Sequence, residues 1–199
     1  MTFAMQTYSH ALINGVLARP LKRRGWDVNT FAFVLGGILP DIPFFLMTVI
    51  GGIYYTMIGG TPSGESPMIY MHMTLYFRDP WWISAHNLLH APAVLIVLSV
   101  AGIAGTQNGQ AWGAFLLWFA LGAGLHTLID VFTHAGDGPL LFFPFNWSYR
   151  FQSPISYWDP AHYGLIFAPL EHVLDVVLIA VLVRRARRAR RRRHLTPEA

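Results

Sequence analysis

The chain has 199 residues, of which 54% are hydrophobic and only 12% are charged. A soluble domain carries roughly a quarter charged residues, so this composition excludes an ordinary water-facing surface and indicates that lipid covers much of the molecule. There are no cysteines, which excludes disulfide bonds, thiolate metal sites and thiol catalysis.

Positive charge is concentrated in two short segments, which account for the pI of about 9.7, and only Arg78 and Arg150 lie elsewhere. One contains Arg19, Lys22, Arg23 and Arg24, and the other has eight arginines between positions 184 and 193. Basic segments beside apolar helices usually mark the cytoplasmic ends of membrane spans. We therefore expect a multi-pass protein with a cytoplasmic C-terminus, the lipid bilayer as its surroundings and no nucleic-acid partner. The sequence does not predict an oligomeric state.

The apolar segments predict an all-α integral membrane bundle with about four to five spanning helices. In chain order, helices are expected over residues 3–19, 30–58, 85–105, 111–134 and 164–183. The prolines in Leu39-Pro40-Asp41-Ile42-Pro43 should break or kink the second helix, because proline removes a backbone donor.

The loop between the last two helices is rich in aromatic residues and proline, and we expect it on the bilayer surface. A single transmembrane domain should cover residues 1–183. Residues 184–199 then form a basic cytoplasmic tail.

Ionisable side chains within the predicted spans are the main functional signal. They are His10, Asp41, His86, His90, His126, Asp130, His134, Glu171, His172 and Asp175. A charged residue near the bilayer centre costs about 2.5–3.5 kcal/mol, and the spans contain no Lys or Arg that could neutralise the carboxylates. Protons, imidazolium groups or metal ions must then supply the positive charge.

The spacing of these residues favours a metal. His126, Asp130 and His134 share one helical face, as do Gln6, His10 and Asn14 on the first helix. Imidazole and carboxylate ligands together suit zinc first, with manganese or iron as alternatives, better than calcium.

A second group lies on the last predicted helix, where Glu171 and Asp175 are four residues apart and His172 lies beside them. Glu171 is a candidate general base or further ligand, and Asp130 is the second candidate catalytic residue. Two carboxylates have alternative roles. Asp41 could cap the following helix, and Asp175 could form only a hydrogen bond between helices.

Three segments resemble a known family. GGILPDIP around Asp41, HNLLHAP at 86–92 and GLHTLIDVFTHAGDGPLLFFPF at 124–145 are similar to LexA-regulated, membrane-bound metal-dependent hydrolases of bacteria, over roughly residues 5–145. The ligand order is also similar, more distantly, to that of zinc-dependent phospholipase C. The resemblance implies an inner-membrane location. The metal ligands that it implies are His10, Asp41, His90, His126, Asp130 and, further along the chain, His134.

The chain departs from this family in one element, because the common pattern HR-x-x-THS is replaced here by His86-Asn87-Leu88-Leu89-His90-Ala91.

The leading hypothesis is a hydrolase that uses metal-activated water on a phosphoester or on another small or lipid-linked substrate, with Glu171 and His172 completing the ligand set. The alternatives are a transporter or proton-conducting protein with a His/Asp relay, a haem protein with paired histidines, and a membrane scaffold that acts through its arginine tail.

Overall fold

The computed structural model describes residues 7–62 and 64–195 and is mostly helical, with 71% of residues in helices. The helices in the described ranges are α1 Thr7–Arg23, α2 Thr30–Gly36, α3 Ile42–Met57, α4 Pro67–Ile69, α5 Tyr76–Arg78, α6 Pro80–Asn87, α7 Pro92–Gln107, α8 Ala111–Thr133 and α9 Gly164–Leu195. A π-helical segment, Tyr70–Leu75, joins α4 to α5, and a 3-10 turn, Pro160–His162, precedes α9.

The predicted break in the second apolar segment is confirmed. Helix α2 ends at Gly36, and α3 begins at Ile42 with Pro43 in its first turn, where a missing backbone donor is tolerated. Asp41 lies at the start of α3 but makes no capping hydrogen bond. Its carboxylate therefore has a role other than the capping role considered above.

The predicted helix over 85–105 is in fact two helices, α6 and α7, which meet at a bend of 45°. Ala91 precedes Pro92 and has extended backbone angles, φ −69° and ψ 121°, as the residue before a proline usually does. The bend lies next to His90, which falls in the short connection between α6 and α7.

Glycines allow α2 and α8 to pack in direct backbone contact. A Cβ atom at Gly36 would lie 2.2 Å from the Phe119 carbonyl oxygen, and one at Gly122 would lie 2.2 Å from that of Phe33. The Asn14 amide of α1 donates to the carbonyl oxygens of Phe33, at 2.7 Å, and of Gly122, at 3.3 Å. Three helices are therefore joined at one point in the interior of the molecule.

Helices α1 and α9 run side by side in the same direction. Near their N-termini, the Ser9 hydroxyl lies 2.8 Å from a Glu171 carboxylate oxygen and 3.0 Å from one of Asp175. Near their other ends, the Arg185 guanidinium donates to the Val16 carbonyl oxygen at 2.7 Å. The hydrogen bond between helices considered for Asp175 is thus present.

The loop between α8 and α9 contains two short strands, so the all-α prediction is wrong in this detail. Strand β1, Ala135–Leu140, pairs with β2, Arg150–Gln152, in an antiparallel hairpin. The amide of Leu140 donates to the Asn87 side chain at 2.6 Å, which ties the hairpin to α6. Its tip exposes aromatic side chains to the surroundings, namely Phe142, Phe145, Trp147 and Tyr149.

Two described helices, α8 and α9, are long and apolar enough to cross a membrane, and α6 with α7 would make a third span if the bent pair counts as one. The expected four to five spans are not confirmed, because the apolar segment at 30–58 is divided and α3 alone is shorter than a usual span. Helix α9 continues beyond Val183 through the arginines to Leu195, so no helix end separates the tail from the last apolar segment.

Candidate metal centre

Four side chains from separate parts of the fold meet at one buried point. They are Asp41 before α3, His90 at the bend between α6 and α7, and His126 and Asp130 on α8, and one ligand atom from each lies within 4.8 Å of every other. The side chains of His90 and His126 are 0% exposed and that of Asp130 is 5% exposed. We call these four residues the His/Asp group.

The spacing inside the His/Asp group matches a coordination shell. Four atoms placed tetrahedrally about an ion at 2.0–2.2 Å would lie roughly 3.3–3.6 Å from one another. His126 Nε2 lies 3.0 Å from His90 Nε2, 3.0 Å from Asp130 Oδ2 and 3.4 Å from Asp41 Oδ1. His90 Nε2 lies 3.4 Å from Asp130 Oδ2 and 3.5 Å from Asp41 Oδ1. Three of these distances fall within that range and two are shorter, so the four residues could hold a divalent ion.

Both histidines are oriented by backbone carbonyls. His126 Nδ1 lies 3.1 Å from the Gly37 carbonyl oxygen, and His90 Nδ1 contacts the His86 carbonyl oxygen. A carbonyl oxygen can only accept, so each Nδ1 carries the hydrogen and each Nε2 turns toward the centre of the group. In the neutral tautomer two nitrogen lone pairs then lie 3.0 Å apart, an arrangement that a cation between them stabilises.

No lysine or arginine among the described residues forms an ion pair with Asp41 or Asp130, and all their charged partners are histidines. Two buried carboxylates without such a partner need a cation or protonated imidazoles close by.

Asp41 marks the side on which the His/Asp group opens. Its side chain is 24% exposed, whereas the other three are nearly or fully buried. One carboxylate oxygen faces the two histidines, and the other accepts a 2.6 Å hydrogen bond from the Thr7 hydroxyl of α1. A small molecule would therefore reach the group past Asp41.

His10 lies directly beside the His/Asp group. Its ring stacks on that of His126 with 3.7 Å between centroids, and its Nε2 is 3.2 Å from Asp130 Oδ1. Asp130 thus presents one oxygen to the histidine pair and the other to His10. Asn14, one turn further along α1, is also buried, as the polar stripe predicted. Gln6 of that stripe lies outside the described residues.

The structure does not bring His134, Glu171 or His172 into the His/Asp group. His134 Nε2 is 2.9 Å from the Tyr157 hydroxyl and its Nδ1 is 2.9 Å from the Asp130 carbonyl oxygen. Glu171 contacts Ser9 on the α9 side of α1, and the His172 side chain is 62% exposed. The assignments of these three residues to the metal site, and of Glu171 to catalysis, stay predictions.

Several residues that contact the site were missed in the sequence. Thr7 lies one turn before His10 on the same stripe, and its position could have been recognised from that spacing. The Gly37 carbonyl has no comparable signal, because a backbone acceptor at a helix break leaves no periodic pattern.

Fold and site together define a helical membrane protein with a buried group of histidines and aspartates at one end of its helices. A family model described as "YdjM inner membrane protein" matches residues 1–195, and the chain belongs to this family of LexA-regulated membrane proteins. No curated protein and no solved structure matches the chain significantly.

Proposed function

We propose that the chain is a metal-dependent hydrolase of the inner membrane, with one divalent ion, zinc first, held by the His/Asp group. The convergence of Asp41, His90, His126 and Asp130 at coordination distances carries this proposal. Manganese and iron remain alternatives, since imidazole and carboxylate also suit them.

A divalent ion at this point would lower the pKa of a coordinated water to about 7 and so supply a nucleophile at neutral pH. His90 and His126 hold their Nε2 atoms toward the ion through their carbonyl contacts. Asp130 would be shared between the ion and His10, because its Oδ2 faces His90 and His126 and its Oδ1 lies 3.2 Å from His10 Nε2.

The proposed substrate is a phosphoester, on its own or linked to a lipid. The resemblance to membrane-bound hydrolases supports the phosphoester. Two structural features support access from the membrane surface: the opening lies at Asp41, and exposed aromatic side chains occur on the nearby hairpin.

The first test is metal analysis of the detergent-purified full chain by mass spectrometry. We expect about one equivalent of zinc, manganese or iron in the wild type, and a loss of most of it in Asp130→Asn and His126→Ala, because each variant removes a ligand. Asp159→Asn is the matched control, since Asp159 bonds His162 in a loop away from the group.

Wild-type protein without any of these metals, even after incubation with them, would contradict the proposal. So would variants at Asp130 and His126 that retain the full metal content.

A further inference from the structure

Arg150 is a cation fixed in place by its neighbours on the hairpin and on α5. It belongs to β2, outside both basic segments, and is half-buried. Its guanidinium lies over the ring of Tyr76, at 4.7 Å, and of Phe77, at 5.2 Å. Its Nη1 donates to the Tyr76 hydroxyl at 3.0 Å and to the Gly138 carbonyl oxygen. These contacts determine the position of a side chain that would otherwise have many rotamers.

The charge of Arg150 has no acidic partner within 4 Å among the described residues. The hydrogen bonds that it makes in the described part of the chain all come from Nη1 and go to uncharged oxygens, so Nε and Nη2 remain as donors. The nearest acidic residue of the hairpin, Asp137, directs a carboxylate oxygen to the Trp158 indole at 2.8 Å instead. A positioned arginine with unused donors and no counter-ion is the arrangement that binds an anion.

The hairpin connects Arg150 to the end of α8, the helix that carries His126 and Asp130. Gly138, which accepts from Arg150, is packed on the end of α8, where an added Cβ would lie 3.5 Å from the Asp130 carbonyl oxygen. The same Cβ would lie 3.1 Å from His134 Cβ, so position 138 has little room for a side chain. Gly138 therefore lies between Arg150 and the backbone of Asp130, a member of the His/Asp group.

Contacts between aromatic rings also connect Arg150 to His90. Tyr76, under the guanidinium, lies 5.0 Å from the ring of His86, which stacks on His90 at 4.5 Å. Burial raises the pKa of the Tyr76 hydroxyl, which stays protonated and donates to the Asp137 carbonyl oxygen. His86 is 8% exposed, and its Nε2 is buried without a hydrogen-bond partner in the described structure.

We propose that Arg150 forms a subsite that binds the phosphate group of the substrate. This inference rests on the proposed function. Nε and Nη2 of the guanidinium form a planar pair of donors that fits two phosphate oxygens.

Inorganic phosphate is the probe for this subsite. It is titrated calorimetrically into the full chain in detergent, with zinc bound and after zinc removal, and zinc content is measured in parallel. We expect Arg150→Gln to weaken phosphate binding by about tenfold or more, because hydrogen bonds to a charged group are lost, while zinc content stays at the wild-type value. Arg150→Lys should keep part of the affinity. Arg78→Gln is the control, since Arg78 is an exposed arginine of the same region.

A measurement on the wild type avoids any effect of the substitutions on folding. Phosphate should protect Arg150 from modification by phenylglyoxal, as mapped by mass spectrometry, and should leave Arg78 as reactive as before. Unchanged phosphate affinity in Arg150→Gln, absence of phosphate binding by the wild type, or equal reactivity of Arg150 with and without phosphate would each overturn the subsite. Phosphate binding through Arg150 in a protein that takes up no metal would support the subsite and contradict the proposed hydrolase.

Discussion

At the residue scale, the geometry of the His/Asp group depends on groups outside it. The Gly37 and His86 carbonyl oxygens orient the two imidazoles, and the Thr7 hydroxyl holds one oxygen of Asp41. Outer contacts of this kind commonly change metal affinity by 10–100-fold when they are removed. A substitution at Thr7 leaves all four members of the His/Asp group in place. It therefore tests the orientation of the Asp41 carboxylate separately from the loss of a ligand.

Thr7→Val should weaken zinc binding by about tenfold, because Asp41 loses the hydroxyl that fixes its rotamer. Thr48→Val is the matched control: that hydroxyl bonds the Phe44 carbonyl oxygen within α3 and does not contact the group. Competition with a fluorescent zinc chelator measures both affinities. Equal zinc affinity in Thr7→Val and the wild type would show that this hydrogen bond does not support the centre.

At the element scale, the contact between α2 and α8 sets the position of His126. Gly36 and Gly122 let the backbones touch, and the Gly37 carbonyl that follows is the one that orients the His126 ring. The packing of two helices and the orientation of a ligand therefore have the same cause, which is the absence of side chains at the contact.

Gly122→Ala should destabilise the protein by about 1–3 kcal/mol, because its methyl group would overlap the Phe33 carbonyl oxygen. Gly124→Ala lies on the same helix with nothing within 4 Å of the added Cβ, and it should be neutral or stabilising by about 0.5–1 kcal/mol. Thermal unfolding in detergent compares the two. If both variants unfolded at the same temperature as the wild type, the close contact of α2 with α8 would be wrong.

At the scale of the whole molecule, the two basic segments meet at one end and the His/Asp group lies toward the other. The pKa of the Arg19 guanidinium is lowered mainly by Arg23, then by burial and by arginines of α9 such as Arg185. The parallel course of α1 and α9 produces this meeting, which is consistent with a cytoplasmic basic end. We infer that the metal centre and the hairpin face the opposite side of the membrane.

Single cysteines can test this orientation directly, because the chain contains none of its own. A membrane-impermeant maleimide added to spheroplasts should label Ser148→Cys, on the hairpin, and should label Ala189→Cys, among the arginines of α9, only after permeabilisation. The reverse pattern would place the C-terminus outside and contradict the proposed topology.

The sequence predicted the parts of the site that follow from local periodicity. His126 and Asp130 share a helical face as expected, and the prolines around Asp41 divide the second apolar segment. His134 does not follow that face, because α8 ends at Thr133 and His134 has extended backbone angles, φ −124° and ψ 119°. A helical repeat cannot reveal the residue at which the helix stops.

Features that depend on tertiary packing could not be predicted from the sequence. Glu171 was expected near the metal, but α9 packs on the side of α1 that carries Ser9, whereas His10 lies on the side that faces α8. Arg150 is far along the chain from the metal ligands, and only the β1–β2 pairing brings it beside them. Both placements require knowledge of which surfaces meet.

The central claim is that Asp41, His90, His126 and Asp130 hold one divalent ion, and anomalous diffraction from crystals of the zinc-loaded full chain tests it most directly. We expect a zinc peak among these four side chains, with nitrogen and oxygen ligands at about 2.0–2.2 Å. An anomalous map without a peak at that point, or with zinc bound only elsewhere in the molecule, would contradict it.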